Sequence, residues 1–190
     1  MGKTALIVFA DGLEELEAVA PLDILRRSGV DCAVASQTGS LEVTGRNGIT
    51  LKADCHFEDV ADKPFDLLVL PGGPGVHALR NTPALIEVLQ KQASAGKALA
   101  AICAAPTVLQ DAGLLEGRSY TAHFTVADDL PNIMENSAVV VDGNIITSRG
   151  AGTAVEFGLT LAKILTGEDT AKEVADSIHF RPVPLSPAGK

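Results

Sequence analysis

Short apolar runs alternate along the chain with longer stretches in which apolar residues recur every three or four positions. The runs are almost continuously apolar, as expected of strands buried on both faces of a parallel sheet; they span residues 4–10, 32–36, 67–70, 98–102 and 145–148. The longer stretches predict helices over residues 13–28, 83–95, 104–112 and 152–166, each followed directly by a glycine. Strands and helices in this order predict an α/β fold, a parallel-sheet sandwich with helices on both faces.

Residues 41–51 depart from this alternation. The sequence Gly45-Arg46-Asn47-Gly48 lies there between β-prone residues, which predicts a hairpin. No repeat or linker divides the chain, so we expect residues 1–180 to form a single domain. Three prolines near the C-terminus predict an irregular tail over residues 181–190.

Composition narrows the range of partners. The 190-residue chain is 46% hydrophobic and 21% charged, which argues against disorder. Its formal net charge of -9 disfavours nucleic acid and anionic membranes as partners and favours a small or uncharged one. The apolar run at the N-terminus is too short for the core of a signal peptide, so we expect a cytoplasmic protein.

The three cysteines, Cys32, Cys55 and Cys103, are odd in number and widely spaced. This pattern fits neither a disulfide framework nor a zinc site of paired cysteines, and it indicates a reducing compartment. The histidines other than His123 have no ligand partners at suitable spacing. We therefore expect no metal and no cofactor.

Ligands of an open parallel sheet bind at the carboxyl ends of its strands, so the residues after each run are the candidates for a site. After the third run, Gly72 and Gly73 could leave backbone N–H groups free to face a developing oxyanion. Residues 73–78 also match the G-x-G-x-x-A pattern of dinucleotide sites. Because the acidic residue that such a site needs is missing near residues 102–104, a nucleotide is disfavoured.

Cys103 ends the fourth run and precedes small residues and a predicted helix. A cysteine that ends a buried strand is usually an inert hydrophobe. The order strand, cysteine, small residues, helix is also the layout of a nucleophile elbow, in which a sharp turn lifts the reactive atom out of the sheet. Unpaired N–H groups and the helix dipole would then favour the thiolate. Cys32, in an apolar strand, and Cys55, in a loop, are expected to be inert.

A nucleophile needs a group that moves protons, and four carboxylates lie between Asp11 and Glu17. Helical geometry predicts an inward face formed by Leu13, Leu16, Ala20 and Ile24. Glu17 lies beside this face, whereas Glu14 and Glu15 are expected in solvent. A buried Glu17 without a charged partner has a raised pKa, so it stays protonated and could donate to a thiolate or pass a proton to substrate. The alternative for Glu17 is a carboxyl satisfied by backbone groups.

The first helix is apolar on more than one side. Outside the predicted inward face it also carries Ala18, Val19, Leu22 and Leu25. A second copy of the chain could cover this other face, which predicts a homodimer through the first helix.

Four motifs occur together in one order: DGLEELEAVAPLDILRRSGV, LLVLPGG, AAICAAPTVL and ITSRGAGTAVEFGL. With them the chain resembles the ThiJ/PfpI superfamily from about residue 4 to residue 178, and within it the branch of the parkinsonism-associated protein deglycase. The resemblance implies a flavodoxin-like fold of the class I glutamine amidotransferase type and a homodimer. Ala151 stands where related chains commonly have proline, and the stretch between Gly73 and Leu79 is one residue short, so the shape of the pocket does not follow from the resemblance.

The resemblance also implies roles for individual residues. Cys103 would be the nucleophile with a protonated Glu17 beside it, and the N–H groups of Gly73 and Ala104 would form the oxyanion pocket. His123 would act as an acid/base group, although a lone histidine in so apolar a setting is otherwise a core residue. Candidate pocket residues at the edge of the site are Glu14, Gly72 and Arg149.

Two functions stay open at this level. The first is an enzyme acting on reactive carbonyls, either a glyoxalase that makes hydroxy acid from methylglyoxal or glyoxal, or a protein deglycase that releases it from glycated proteins. Its partner would be a small aldehyde or a glycated substrate. The second is a redox sensor or redox-regulated chaperone that is switched by oxidation of Cys103.

Overall fold

The computed structural model describes residues 2–181. Nine strands are present in this range, and they are Thr4–Phe9 (β1), Asp31–Ser36 (β2), Glu42–Thr44 (β3), Thr50–Lys52 (β4), Cys55–His56 (β5), Leu67–Leu70 (β6), Ala98–Ile102 (β7), Val139–Asp142 (β8) and Ile145–Ser148 (β9). Seven of them form one sheet in the order β5-β2-β1-β6-β7-β9-β8, parallel except for the antiparallel pair β8 and β9. The run β2-β1-β6-β7-β9 has the strand order of a flavodoxin-like sheet, which confirms the predicted fold class.

Helices cover both faces of this sheet. They span Glu15–Arg27 (α1), Val76–Arg80 (α2), Pro83–Ser94 (α3), Pro106–Asp111 (α4), Ala154–Thr166 (α5) and Glu168–Ser177 (α6). Side chains alternate along β1, so Leu6 and Val8 join the core under α2, α3 and α4, whereas Ile7 and Phe9 join the core under α1 and α5. This alternation produces two apolar layers, one on each side of the sheet.

The predicted elements agree closely with the structure. All five predicted strands are found, with ends that differ by at most one residue, and the four predicted helices differ by at most two. Strands β3 and β4 form the predicted antiparallel hairpin. Strands β5 and β8 and helices α2 and α6 were not predicted. Of the predicted tail, residues 182–190 lie outside the described part of the chain.

The orientation of α1 differs from the prediction. Leu16, expected inside, is 61% exposed, whereas Ala18 and Leu25, expected on the outer face, are fully buried. The helix begins only at Glu15, so the angular reference taken from Leu13 lies outside it. Helix α5 covers the other side of α1, where Gly158 lets the two helices approach closely. No helix within residues 2–181 is both long and apolar enough to cross a membrane.

Candidate active site

Cys103 lies in a sharp turn at the carboxyl end of β7. Its φ angle is 65°, a left-handed conformation that is uncommon for any residue except glycine. Two backbone hydrogen bonds hold the turn, because Cys103 N donates to Ser148 O at 2.9 Å and Cys103 O accepts from His123 N at 2.9 Å. The side chain is half-buried. The turn therefore projects the thiol from the edge of the sheet, as the layout of a nucleophile elbow requires.

The carboxyl group of Glu17 lies against this thiol. Glu17 is 1% exposed, its side chain hydrogen-bonds with Cys103, and Gly72 N donates to its Oε2 at 3.0 Å. Burial raises the pKa of Glu17 to about 7, although the hydrogen bonds from Cys103 and Gly72 oppose the rise. Glu17 therefore exists in both protonation states near neutral pH, where it can accept or donate a proton.

Gly72 allows Glu17 and Cys103 to meet. A Cβ at position 72 would lie 2.5 Å from Glu17 Oε2 and 2.7 Å from Cys103 Cβ, which leaves no space for any side chain. The expectation that Gly72 offers a free N–H to an oxyanion is wrong, because this N–H is used by Glu17. The N–H groups of Gly73 and Ala104 instead point toward the thiol of Cys103.

The thiol pKa differs in direction from the sequence expectation. The N–H groups of Ala104 and Gly73 lower the pKa of Cys103, as expected for a thiol at such a turn. Burial raises it more, and the charge of Glu17 adds to the rise, so that the thiol pKa reaches about 12. Helix α4 starts only at Pro106 and is six residues long, so its dipole lowers the pKa of the thiol only weakly. Removal of the thiol proton therefore needs a base, and Glu17 is adjacent.

Cys32 lies in a strand as the sequence predicts, whereas Cys55, which was expected in a loop, lies in the short strand β5. Burial in β2 raises the pKa of Cys32 to about 12. The pKa of Cys55 is also raised, first by burial and then by the neighbouring carboxylates of Asp54 and Asp59. Neither environment favours a thiolate.

Glu14 and Glu15 are buried, so the expectation that both lie in solvent is wrong. Glu14 Oε2 accepts from Glu17 N at 2.9 Å and caps α1, while Glu14 N donates to Gly72 O at 3.0 Å. Glu15 accepts from the backbone N and the side-chain Nδ2 of Asn47, both at 2.7 Å. The hairpin turn therefore covers the carboxylate of Glu15, and Glu14 orients the turn of helix that carries Glu17.

Sequence reasoning missed Arg46. It lies in the turn between β3 and β4, and its backbone N donates to Leu13 O at 2.8 Å. The side chain is exposed, yet its positive charge acts on Glu17 and lowers the pKa of that carboxyl. The only sign of this role in the sequence was its position in the predicted hairpin turn. The sequence does not show that this turn packs against the start of α1.

His123 lies beside the cysteine turn, and Arg149 directly follows β9. The Cδ2 atom of His123 is 3.4 Å from the position of a Cβ on Gly150, and Glu17 Oε1 is 3.9 Å from that same position. The half-buried His123 is thus next to the site and is not a core residue. The guanidinium of Arg149 is exposed and donates to Glu135 O at 3.0 Å. Among residues 2–181, no group of three or more His, Cys, Asp or Glu side chains is arranged to hold a metal ion.

The protein is thus an α/β protein with a flavodoxin-like sheet and a candidate nucleophile at the sheet edge. This nucleophile is a cysteine in a left-handed turn, and it lies against a buried carboxyl group. Residues 3–164 match the DJ-1/PfpI family, and the chain belongs to this family.

Known relatives agree with this assignment. The chain is 43% identical over 187 residues to Protein DJ-1 homolog A of Arabidopsis thaliana; the match covers 96% of this chain but only 48% of that protein. It is 37% identical over 164 residues to a protein of Thermococcus kodakarensis that is named a deglycase, covering 84% of this chain and 98% of that one. The crystal structure of Drosophila melanogaster DJ-1beta superposes with a TM-score of 0.92 at 39% identity, covering 96% of this chain and 100% of that chain.

Proposed function

We propose that the protein is a cysteine-dependent, cofactor-free enzyme that converts reactive dicarbonyls to hydroxy acids, with Cys103 as the nucleophile. The observation that carries the proposal is the contact between the half-buried thiol and a carboxyl group whose pKa lies near 7. A base with such a pKa is matched to proton transfer at neutral pH. The relative that is named a deglycase supports a carbonyl substrate.

The reaction balances without an external oxidant. Cys103 Sγ adds to the aldehyde carbon of methylglyoxal while its proton moves to the Glu17 carboxylate, which gives a hemithioacetal. The proton on that carbon then moves to the adjacent carbonyl carbon, and Glu17 returns the thiol proton to the oxygen of that carbonyl, so the first carbon is oxidised to a thioester and the second is reduced to an alcohol. Water hydrolyses the thioester, which releases lactate and restores the thiol. On an early glycation adduct, Cys103 Sγ would replace the amine at the former aldehyde carbon, so that the C–N bond breaks and the amine leaves with the thiol proton; the later steps would then release the hydroxy acid.

Product analysis tests the proposal. Purified protein is incubated with methylglyoxal in the absence of glutathione, and both lactate and the remaining methylglyoxal are measured. We expect one lactate for each methylglyoxal consumed, over many turnovers per protein chain. If methylglyoxal is lost without formation of lactate, and the loss stops at one equivalent per thiol, the protein is a scavenger of methylglyoxal and not an enzyme.

A redox sensor is the second candidate, and the positions of the thiols favour it. Strands β1 and β6 lie between β7, which precedes Cys103, and β2, which carries Cys32. No second thiol is therefore placed to resolve an oxidised Cys103. Peroxide would convert the thiol to sulfenate and a second equivalent would convert it to sulfinate, each step releasing water. A protonated Glu17 could donate to one sulfinate oxygen while turn N–H groups bind the other.

Limited peroxide is expected to oxidise Cys103 to sulfinate before Cys32 or Cys55 reacts. Glu17 can take the proton of the Cys103 thiol, whereas Cys55 faces the carboxylates of Asp54 and Asp59 and Cys32 is buried. Peptide mass spectrometry across a peroxide series measures the order. Earlier oxidation of Cys55, or equal oxidation of all three thiols, would remove the basis for the sensor.

We also propose a homodimer through α1. Leu16 and Val19 lie one turn apart on this helix and are 61% and 40% exposed, an apolar surface that a second copy would bury. Sedimentation at micromolar concentration should give a dimer, and Leu16→Glu should shift it to monomer. Ile164→Glu on α5 is the matched control, since Ile164 is also an exposed apolar residue. A monomeric wild type, or a control variant that dissociates equally, would contradict this interface.

A further inference from the structure

We infer that Thr125 is a positioning residue that holds the ring of His123 as the neutral tautomer with its proton on Nε2. In that form His123 donates a hydrogen bond to the substrate oxygen and does not act as a base. The inference deepens the proposed function and rests on it for the role in turnover, whereas the tautomer can be observed without substrate.

Two groups of Thr125 converge on one nitrogen of the ring. The hydroxyl Oγ1 lies 2.8 Å from His123 Nδ1, and the backbone N of Thr125 lies 3.4 Å from the same atom. A backbone N–H can only donate, so Nδ1 must present its lone pair. The hydroxyl then donates to Nδ1 as well, and the single proton of the neutral ring is left on Nε2.

The opposite edge of the ring and the carboxyl of Glu17 both lie next to Gly150. The Cδ2 atom, bonded to Nε2, lies 3.4 Å from the position of a Cβ on Gly150, and Glu17 Oε1 lies 3.9 Å from that position. The backbone N–H of His123 donates to Cys103 O at 2.9 Å, which ties the ring to the cysteine turn. The ring of Phe124, which is 70% exposed, lies 4.3 Å from the ring of His123 and tilts by 32°. Both side-chain neighbours that fix the ring therefore come from the short turn after His123.

This arrangement gives His123 and Glu17 different roles. When Cys103 adds to an aldehyde, negative charge develops on the aldehyde oxygen, and an Nε2–H beside it stabilises that charge. A neutral imidazole can act as such a donor without giving up its proton. Glu17, which shares the thiol proton, then carries the proton transfers.

The test combines tautomer and turnover. Nitrogen-15 spectra of histidine-labelled protein, recorded at a pH where the ring is neutral, distinguish Nε2–H from Nδ1–H through the shifts of the two nitrogens. Wild type and Thr125→Ser should show Nε2–H at His123. Thr125→Val, which keeps the backbone N–H but loses the hydroxyl, should show a mixture of tautomers and a kcat lower by about three- to tenfold, with KM unchanged.

A second pair of variants separates the donor role from a base. Glutamine at 123 can donate a hydrogen bond but cannot accept a proton, so His123→Gln should retain clearly more lactate formation than His123→Ala. Equal activity of the two would overturn the donor role. An Nδ1–H signal for His123 in wild type would overturn the tautomer assignment even if the enzyme is fully active. A wild type that forms no lactate but shows Nε2–H would count against the proposed function alone.

Discussion

Replacing Cys103 with serine is expected to lower lactate formation from methylglyoxal by at least about a thousandfold. A hydroxyl is a far weaker nucleophile than a thiol, and Glu17, with a pKa of about 7, is too weak a base to ionise it. Serine keeps the size and polarity of the side chain, so the turn at φ 65° should persist. Lactate is measured under the conditions used for wild type, with thermal unfolding as a check on the fold.

Cys55→Ser is the control for this variant. Cys55 is also half-buried, and its thiol lies 3.9 Å from Val34 O. It is far from the cysteine turn, because strands β2, β1 and β6 lie between its strand β5 and β7. The control should keep the activity of wild type. Residual lactate formation in Cys103→Ser above a tenth of the wild-type rate would assign the chemistry to another group.

Glu17→Gln is expected to reduce kcat by about a hundredfold, within the range for loss of a general acid/base. Glutamine has the same shape and can still accept from the N–H of Gly72, but it cannot take the thiol proton. Glu15→Gln is the matched control, because Glu15 is a buried carboxyl two residues away that binds Asn47 and does not touch the thiol. The control should lose stability and keep its activity. Equal losses of activity in the two variants would indicate a general disturbance of α1.

The same variant changes the dependence of stability on pH. The pKa of Glu17 rises from an ordinary value of 4.5 to about 7 on folding, so between these values the folded state binds a proton that the unfolded state releases. The free energy of unfolding therefore falls as pH rises through this window, by about 3 kcal/mol for this group. Glu17→Gln cannot titrate and should lose this fall. Denaturant unfolding of both proteins across the window measures the difference, and parallel curves would contradict the raised pKa.

The strands were predictable because each one is buried on both faces and therefore reads as a continuous apolar run. Strand β8 was missed because it is an edge strand with half-exposed residues, so Val139–Asp142 lacks that signal. Helix α2 has only five residues, too few for a periodic pattern. Helix α6 follows α5 after a single glycine, Gly167, and its apolar face packs on α5 instead of the sheet.

The site was predictable where its members follow strands directly. Cys103, Gly72 and Gly73 come at strand ends, and parallel strands bring such ends to one edge. The burial of Glu14 and Glu15 was not predictable, because the hairpin turn that binds Glu15 and the Gly72 carbonyl that accepts from Glu14 N are both distant in sequence. The rise in the pKa of the Cys103 thiol has a similar origin, since it depends on burial and on the carboxyl of Glu17, which belongs to α1 and is distant from Cys103 in sequence.

The left-handed conformation of Cys103 lowers the stability of the fold, whereas the proposed reaction needs the thiol at this position. For a residue with a side chain, this backbone conformation costs about 1–2 kcal/mol, and glycine would adopt it without that penalty. Variants chosen only for resistance to heat or denaturant would therefore tend to acquire glycine at position 103 and lose the thiol. The cysteine at this position therefore carries a cost to folding that glycine would avoid.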